Sequence, residues 1–256
     1  MKIGDTICKN IYAQTQIDAT SEIFSYPAVM VLKGKMPIDI INKANEYIEH
    51  TNNNLAAPAL AATISGDQSV LDNEEPLMQE LYEELLKGCF SYQNFAGKSG
   101  IKSSNNSHRT VILDICWCVK MNPTDYSPAH THNSNARSGL TTVCYVKVPE
   151  HISKHATNEE EINNVNGRKD GFLHFTWDGQ NTSMEDDYCP GTAKLVVPVV
   201  GDYYIFPKWL THTIYPFQGD GQRWSINANF SVYTDNELKL ISSPDDNITN
   251  INESTP

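Results

Sequence analysis

The sequence predicts a mainly β protein with an α-containing N-terminal part, and three observations carry that prediction. Seven stretches rich in β-branched and aromatic residues follow one another: RTVILDICWCVKM (109–121), GLTTVCYVKVP (139–149), GFLHFTW (171–177), AKLVVPVV (193–200), DYYIFP (202–207), THTIYPF (211–217) and QRWSINANFSVY (222–233). Turn signals rather than helices separate several of them, with Val-Gly-Asp at 200–202 and Gly-Asp-Gly at 219–221. Helical periodicity is confined to the first third. Parallel strands need long crossovers, so strands this closely spaced imply an antiparallel sandwich or barrel.

In chain order, PAVMVLKG (27–34) reads as a short strand. A helix follows over 37–50, where Pro37 sits at a helix start and Ile38, Ile40, Ile41, Ala44 and Ile48 recur at helical spacing. The polar TNNN ends it. The segment 74–95 repeats the pattern through Leu77, Leu81, Leu85 and Leu86, with Gly88 marking a kink or stop. The strands then run from 108 to 235, interrupted near 150–170 by a polar insertion expected to be a surface loop. Residues 236–256 read as a weakly ordered acidic tail. The predicted organisation is thus 1–107 packed on a β core at 108–235, with the tail beyond.

The 256 residues carry 19 Lys+Arg against 31 Asp+Glu, a net charge of −12. That balance opposes a nucleic-acid groove or an anionic membrane surface, both of which need clustered cations. No run reaches the roughly 18 apolar residues of a membrane span, and the start, MKIGDTICKN, lacks a signal-peptide stretch. The expected location is cytoplasmic. Six cysteines without a CxxC pair oppose a disulfide framework or a four-thiolate zinc site. Cys116 and Cys118, either side of Trp117, are expected to share a buried strand face.

Chemistry concentrates in two places. In a strand, positions i and i+2 share a face, so His130 and His132 could grip one metal, with His212 brought opposite by the sandwich. The same pattern also suits solvated or hydrogen-bonded histidines. Arg223, one of four arginines, opens a strand in which Arg223, Ser225, Asn227, Asn229 and Ser231 alternate with Trp224, Ile226, Ala228, Phe230 and Val232. Either the polar face meets water, or it faces inward. There a guanidinium would clamp a carboxylate through two hydrogen bonds and the Ser225 hydroxyl would contact the same anion. His151, His155, His174 and Asp125 are weaker ligand candidates, and Trp117, Trp209, Tyr203 and Tyr204 read as packing. There is no Gly-rich phosphate loop and no GxSxG.

The blocks HTHNSNARSGLTTVCYVKVP and GDYYIFPKWLTHTIYPFQGDGQRWSINANF resemble the core of the Fe(II)- and 2-oxoglutarate-dependent oxygenases, most closely a prolyl-hydroxylase-like group of phages and marine bacteria. The upstream NNNLAAPALAATISGDQSVLD resembles the N-terminal part of that group. The resemblance implies a double-stranded β-helix (a jelly-roll, cupin-like core) with Fe(II) held by His130, His132 and His212. It implies that Arg223 and Ser225 hold the far carboxylate of the cosubstrate 2-oxoglutarate, with Tyr145 a further contact. The substrate would be a small molecule or a peptidyl group, and the location the host cytoplasm if phage-encoded. One departure stands out: the superfamily pattern is His-x-Asp/Glu…His, and here the carboxylate is replaced by His132. Three neutral ligands leave a divalent site at +2, which favours a dianionic cosubstrate. The rival reading is a non-catalytic β-sandwich that binds ligands or serves as a phage accessory protein; a zinc hydrolase fits less well.

Overall fold

Every strand pairing among the described residues is antiparallel, as the short connections favour. The computed structural model describes residues 22–26, 29–50, 63–98, 109–132, 139–154, 170–177, 193–234 and 237–238. Seven strands form the larger sheet, in the order β1 (Glu22–Tyr26), β2 (Val29–Lys35), β9 (Asp202–Pro207), β6 (Gly139–Lys147), β11 (Arg223–Thr234), β4 (Arg109–Met121) and β3 (Asp67–Val70). Four short strands form the smaller one: β5 (Ser127–His130), β10 (Thr211–Ile214), β7 (Leu173–Thr176) and β8 (Ala193–Val196). The two sheets face each other as a jelly roll.

The seven strands expected from the sequence are β4 and β6 to β11. Those expected over 193–200 and 211–217 stop at Val196 and Ile214, short of Pro198 and Pro216, which lack the N–H a ladder needs. Strands β1, β3 and β5 were not anticipated. β3 (DQSV) and β5 (SPAH) are four residues each without an apolar alternation, so tertiary pairing decides them. The N-terminal region therefore contributes β1, β2 and β3 to the same larger sheet.

Helix α1 (Ile38–His50) starts after Pro37, carries Asp39 in its first turn and buries Ile40, Ile41, Ala44 and Ile48. Helix α2 (Pro76–Lys98) buries Met78, Leu81, Leu85 and Cys89 along one side. Gly88 neither kinks nor stops it. A Cβ there would come within 2.5 Å of Ile205 Cδ1 on β9, so the glycine lets the helix lie close on the sheet. Both helices pack on the outer face of the larger sheet, sharing a core with Cys116, Cys118, Ile226 and Phe230. A second core fills the space between the sheets, with Val143, Tyr145, Phe175 and Phe206. Helix α3 (Glu150–Lys154) opens the polar insertion; residues 155–169 and the tail from 239 lie outside the described residues. No described helix is long and apolar enough to cross a membrane.

Three register shifts aim the inner face. Across from β11, Asp114 of β4 and Val146 of β6 are extra residues, and one more sits in β5 between Ser127 and His130. Such bulges bend a strand and redirect the side chains that follow.

Candidate active site

His130 and His212 are direct cross-strand partners on β5 and β10, with ring centroids 4.2 Å apart. They are neighbours in one sheet rather than opposed across the sandwich. His132 lies two residues past His130, but β5 ends at His130, so strand alternation is not what aligns the pair. Instead the His132 backbone N–H donates to the Lys208 carbonyl at 2.8 Å, which folds the chain back over the site. The His132 ring then lies parallel to His212, 5.1 Å between centroids and 4° between planes, with their Nε2 atoms 3.2 Å apart. One nitrogen from each of the three rings falls within 4.8 Å of the others.

Backbone carbonyls set the tautomers. Nδ1–H of His130 donates to the Pro128 carbonyl at 2.7 Å, and Nδ1–H of His212 donates to that of Leu210 at 3.0 Å. Both rings thereby present an Nε2 lone pair, the arrangement metal-binding histidines adopt. Burial, then the neighbouring His130 and Lys208, holds His132 down at about 3. Burial and the other two rings push His212 well below its ordinary value, against the opposing hydrogen bond to Leu210. Neutral imidazoles gathered this tightly are suited to a divalent cation.

The facing strand β11 supplies the other half. Arg223 is 1% exposed, and its Nη1 donates to the Gly171 carbonyl at 2.9 Å. Gly171 has φ +67°, a left-handed conformation that glycine accepts without strain and that helps present this carbonyl. The guanidinium carbon sits 5.5 Å from the Tyr145 ring centroid. Among the described residues no carboxylate pairs with Arg223, and its Nε has no acceptor. Tyr145, cross-strand partner of Ser225 just before the Val146 bulge, is fully buried with its hydroxyl also unpartnered. Burial pushes that hydroxyl up to about 12, against the pull of Arg223. Ser225 is buried beside them.

An unpaired buried guanidinium costs several kcal/mol, and Arg223 and Tyr145 leave two donors waiting. That is the electrostatic signature of an anion site. The histidines, Arg223 and Ser225 line one cleft. The polar face of β11 therefore points inward, not into water. The Tyr145 ring packs beside the guanidinium, 5.5 Å from its carbon.

The weaker candidates resolve into structural roles. Asp125 would be raised by burial, but hydrogen bonds from Ser65, Asn122 and Gly66 outweigh this and lower it; the carboxylate ties a turn together. His151 donates to the Gln218 carbonyl at 2.7 Å, and His174 stacks on Tyr215. His155 lies outside the described residues. Tyr203 and Tyr204 are core residues, whereas Trp209 is 47% exposed. Trp117 is the correction: it lines the cleft, its ring 5.7 Å from that of His132. The signal was available, because Cys116 and Cys118 on the helix side force Trp117 to the other face. Gln68 and Asn227 also line the cleft and were not singled out as site residues.

Residues 115–229 match the family described as "Putative 2OG-Fe(II) oxygenase". No curated protein matches the chain at a significant level. Among solved structures, a prolyl hydroxylase from Trichoplax adhaerens, in complex with a hypoxia inducible factor oxygen degradation domain peptide fragment, is similar at TM-score 0.50. Its identity is 11%, over 94% of each chain. A Pseudomonas putida prolyl-4-hydroxylase aligns at TM-score 0.48 and 14% identity, over 90% of this chain and 98% of its own. At such identities the likeness concerns the fold.

Proposed function

We propose, from the premise that the core at residues 115–229 is that of the 2-oxoglutarate- and Fe(II)-dependent oxygenases, that this protein is a hydroxylase using both. The observation that carries the proposal is Arg223: a buried cation without a carboxylate partner among the described residues, on the wall of the cleft that holds three histidines. His130, His132 and His212 hold the iron through imidazole nitrogens, Nε2 for His130 and His212. Arg223 takes the far carboxylate of 2-oxoglutarate through its unused donors, Ser225 adds a hydroxyl, and the Tyr145 hydroxyl supplies a further donor.

When bound, iron with 2-oxoglutarate and O₂ supplies the oxidation of a C–H bond to C–OH, with release of succinate and CO₂. The chain's own residues bind, orient and exclude water. Carbonyls of Pro128 and Leu210 fix two of the three rings before any ligand arrives, so little reorganisation is needed. The guanidinium fork, on the wall of the cleft that the histidines line, orients the far carboxylate of the diacid. Phe206, edge-on to His212 at 5.0 Å, and Phe175 keep water from the sheet interior behind the site. With His132 in place of a carboxylate, no ligand charge opposes the incoming dianion. The substrate is a small molecule or a peptidyl side chain.

The test is direct. Anaerobic addition of Fe(II) and 2-oxoglutarate is expected to give a weak visible charge-transfer band, and admission of O₂ to yield succinate. Absence of both, with iron binding also absent, would leave a β-sandwich scaffold without chemistry.

A further inference from the structure

We infer that Trp117, Gln68 and Asn227 select the substrate, and that the group they accept is uncharged and carries an amide; this rests on the reading of the site given above. Asn227 of β11 and Trp117 of β4 are direct cross-strand partners. Gln68 of β3 pairs with Val119, two residues along β4 on the same inner face. All three line the cleft beside His132. Four residues of extended strand separate Asn227 from Arg223, about 13 Å at the usual rise. The carboxylate seat and this patch therefore lie at opposite ends of one strand face, and a cosubstrate held by Arg223 leaves the patch free.

The chemistry of the patch is specific. Asn227 is 8% exposed, yet its Nδ2 makes only two long contacts, 3.4 Å to the Ser225 carbonyl and 3.4 Å to its Oγ. The Gln68 side chain makes no hydrogen bond among the described residues. Two carboxamides, each a donor beside an acceptor, match the donor and acceptor of an amide. The Trp117 ring offers a flat apolar wall, and Ile64 and Val119 add aliphatic lining.

The described lining of the cleft opposes a charged substrate. Among the described residues no Asp, Glu or Lys lines the cleft, and the one guanidinium among them is committed to the cosubstrate. Beyond the metal, an anionic substrate would find no second protein cation among the described residues, and a cationic one no carboxylate, either from those walls or from the ligand set. Either charge would be buried without a partner, which is costly.

Three probes that differ only in charge test this: N-acetyl-L-leucinamide (neutral), N-acetyl-L-leucine (anionic) and L-leucinamide (cationic at pH 7). Each is titrated into ¹⁵N-labelled protein loaded with Zn(II), a diamagnetic substitute, and 2-oxoglutarate. The readout is the Trp117 indole and the Gln68 and Asn227 carboxamide resonances. The neutral probe is expected to shift all three and to bind about tenfold tighter than either charged one, the usual penalty for an unpaired buried group. Gln68→Ala is expected to erase most of that preference. Equal or tighter binding of a charged probe, or no response at the three side chains, overturns the inference. Titration of 2-oxoglutarate alone, followed at the Arg223 Nε resonance, reports separately on the site itself. A silent Arg223 would overturn the proposed function, whereas a responsive Arg223 with an unselective patch would overturn only the present inference.

Discussion

The two faces of the larger sheet are built by the same strands and do opposite work. On the helix side, β4, β6 and β11 present Cys116, Cys118, Cys144, Ile226, Ala228 and Phe230, nearly all fully buried in an apolar core. On the cleft side the same strands present Trp117, Arg223, Ser225 and Asn227, also buried, but polar and sparsely hydrogen-bonded. Burial alone does not distinguish the faces. What does is the chemistry of the buried groups: the outer face packs apolar side chains on one another, whereas the inner face holds a cation and polar side chains that line a cleft.

That contrast can be broken from either side. The largest effect is expected on the outer face, where Phe230→Ala should cost about 3–5 kcal/mol of stability by cavity formation. Urea unfolding would measure it, and the fraction that remains folded should bind Fe(II) unchanged. On the inner side, His212→Ala removes one of three rings. Losing even an outer partner of a ligand costs about 10–100-fold in affinity, so Fe(II) binding by equilibrium dialysis should weaken by about 100-fold or more, with stability little changed. Arg223→Lys is expected to weaken 2-oxoglutarate by about tenfold, because an ammonium cannot reproduce the guanidinium fork. The charge-transfer band on titration reads that out; an unchanged affinity would mean that Arg223 is not the seat.

A further effect concerns acid and the metal-free protein. His132 is held down at about 3 by burial, while in the unfolded chain it titrates near 6.5. Between these values the unfolded state carries the proton that the folded state refuses, so stability falls as pH drops through the window and is flat above it. The slope is at most about tenfold in the folding equilibrium per pH unit for this group. Loading the site with a divalent cation before acidification should protect it, because a coordinated ring is not free to protonate.

The strands of both faces were legible because period-2 alternation of large β-formers is a strong signal, and β4, β9 and β11 fall almost where the pattern places them. Arg223 was legible because an isolated arginine beside a turn stands out. The small strands were not, since Ser-Pro-Ala-His carries no pattern of its own and pairs only because β10 lies alongside. Nor was the placement of His132 legible, which depends on a hydrogen bond to Lys208, distant in sequence. Trp117 was misread as packing because aromatic residues in strands usually are.

The place of β11 has a consequence for how the chain is made in the cell. It is the last of the described strands in sequence, yet it lies inside the larger sheet, between β4 and β6. While a ribosome is still extending the chain, those two strands have no common neighbour, and each offers an open edge to other polypeptides. The sheet and the Arg223 wall of the cleft therefore close together, in one late event that follows release of β11. A nascent chain halted after Phe217 would have all three histidines but no finished sheet to hold them, and would depend on chaperones to stay soluble.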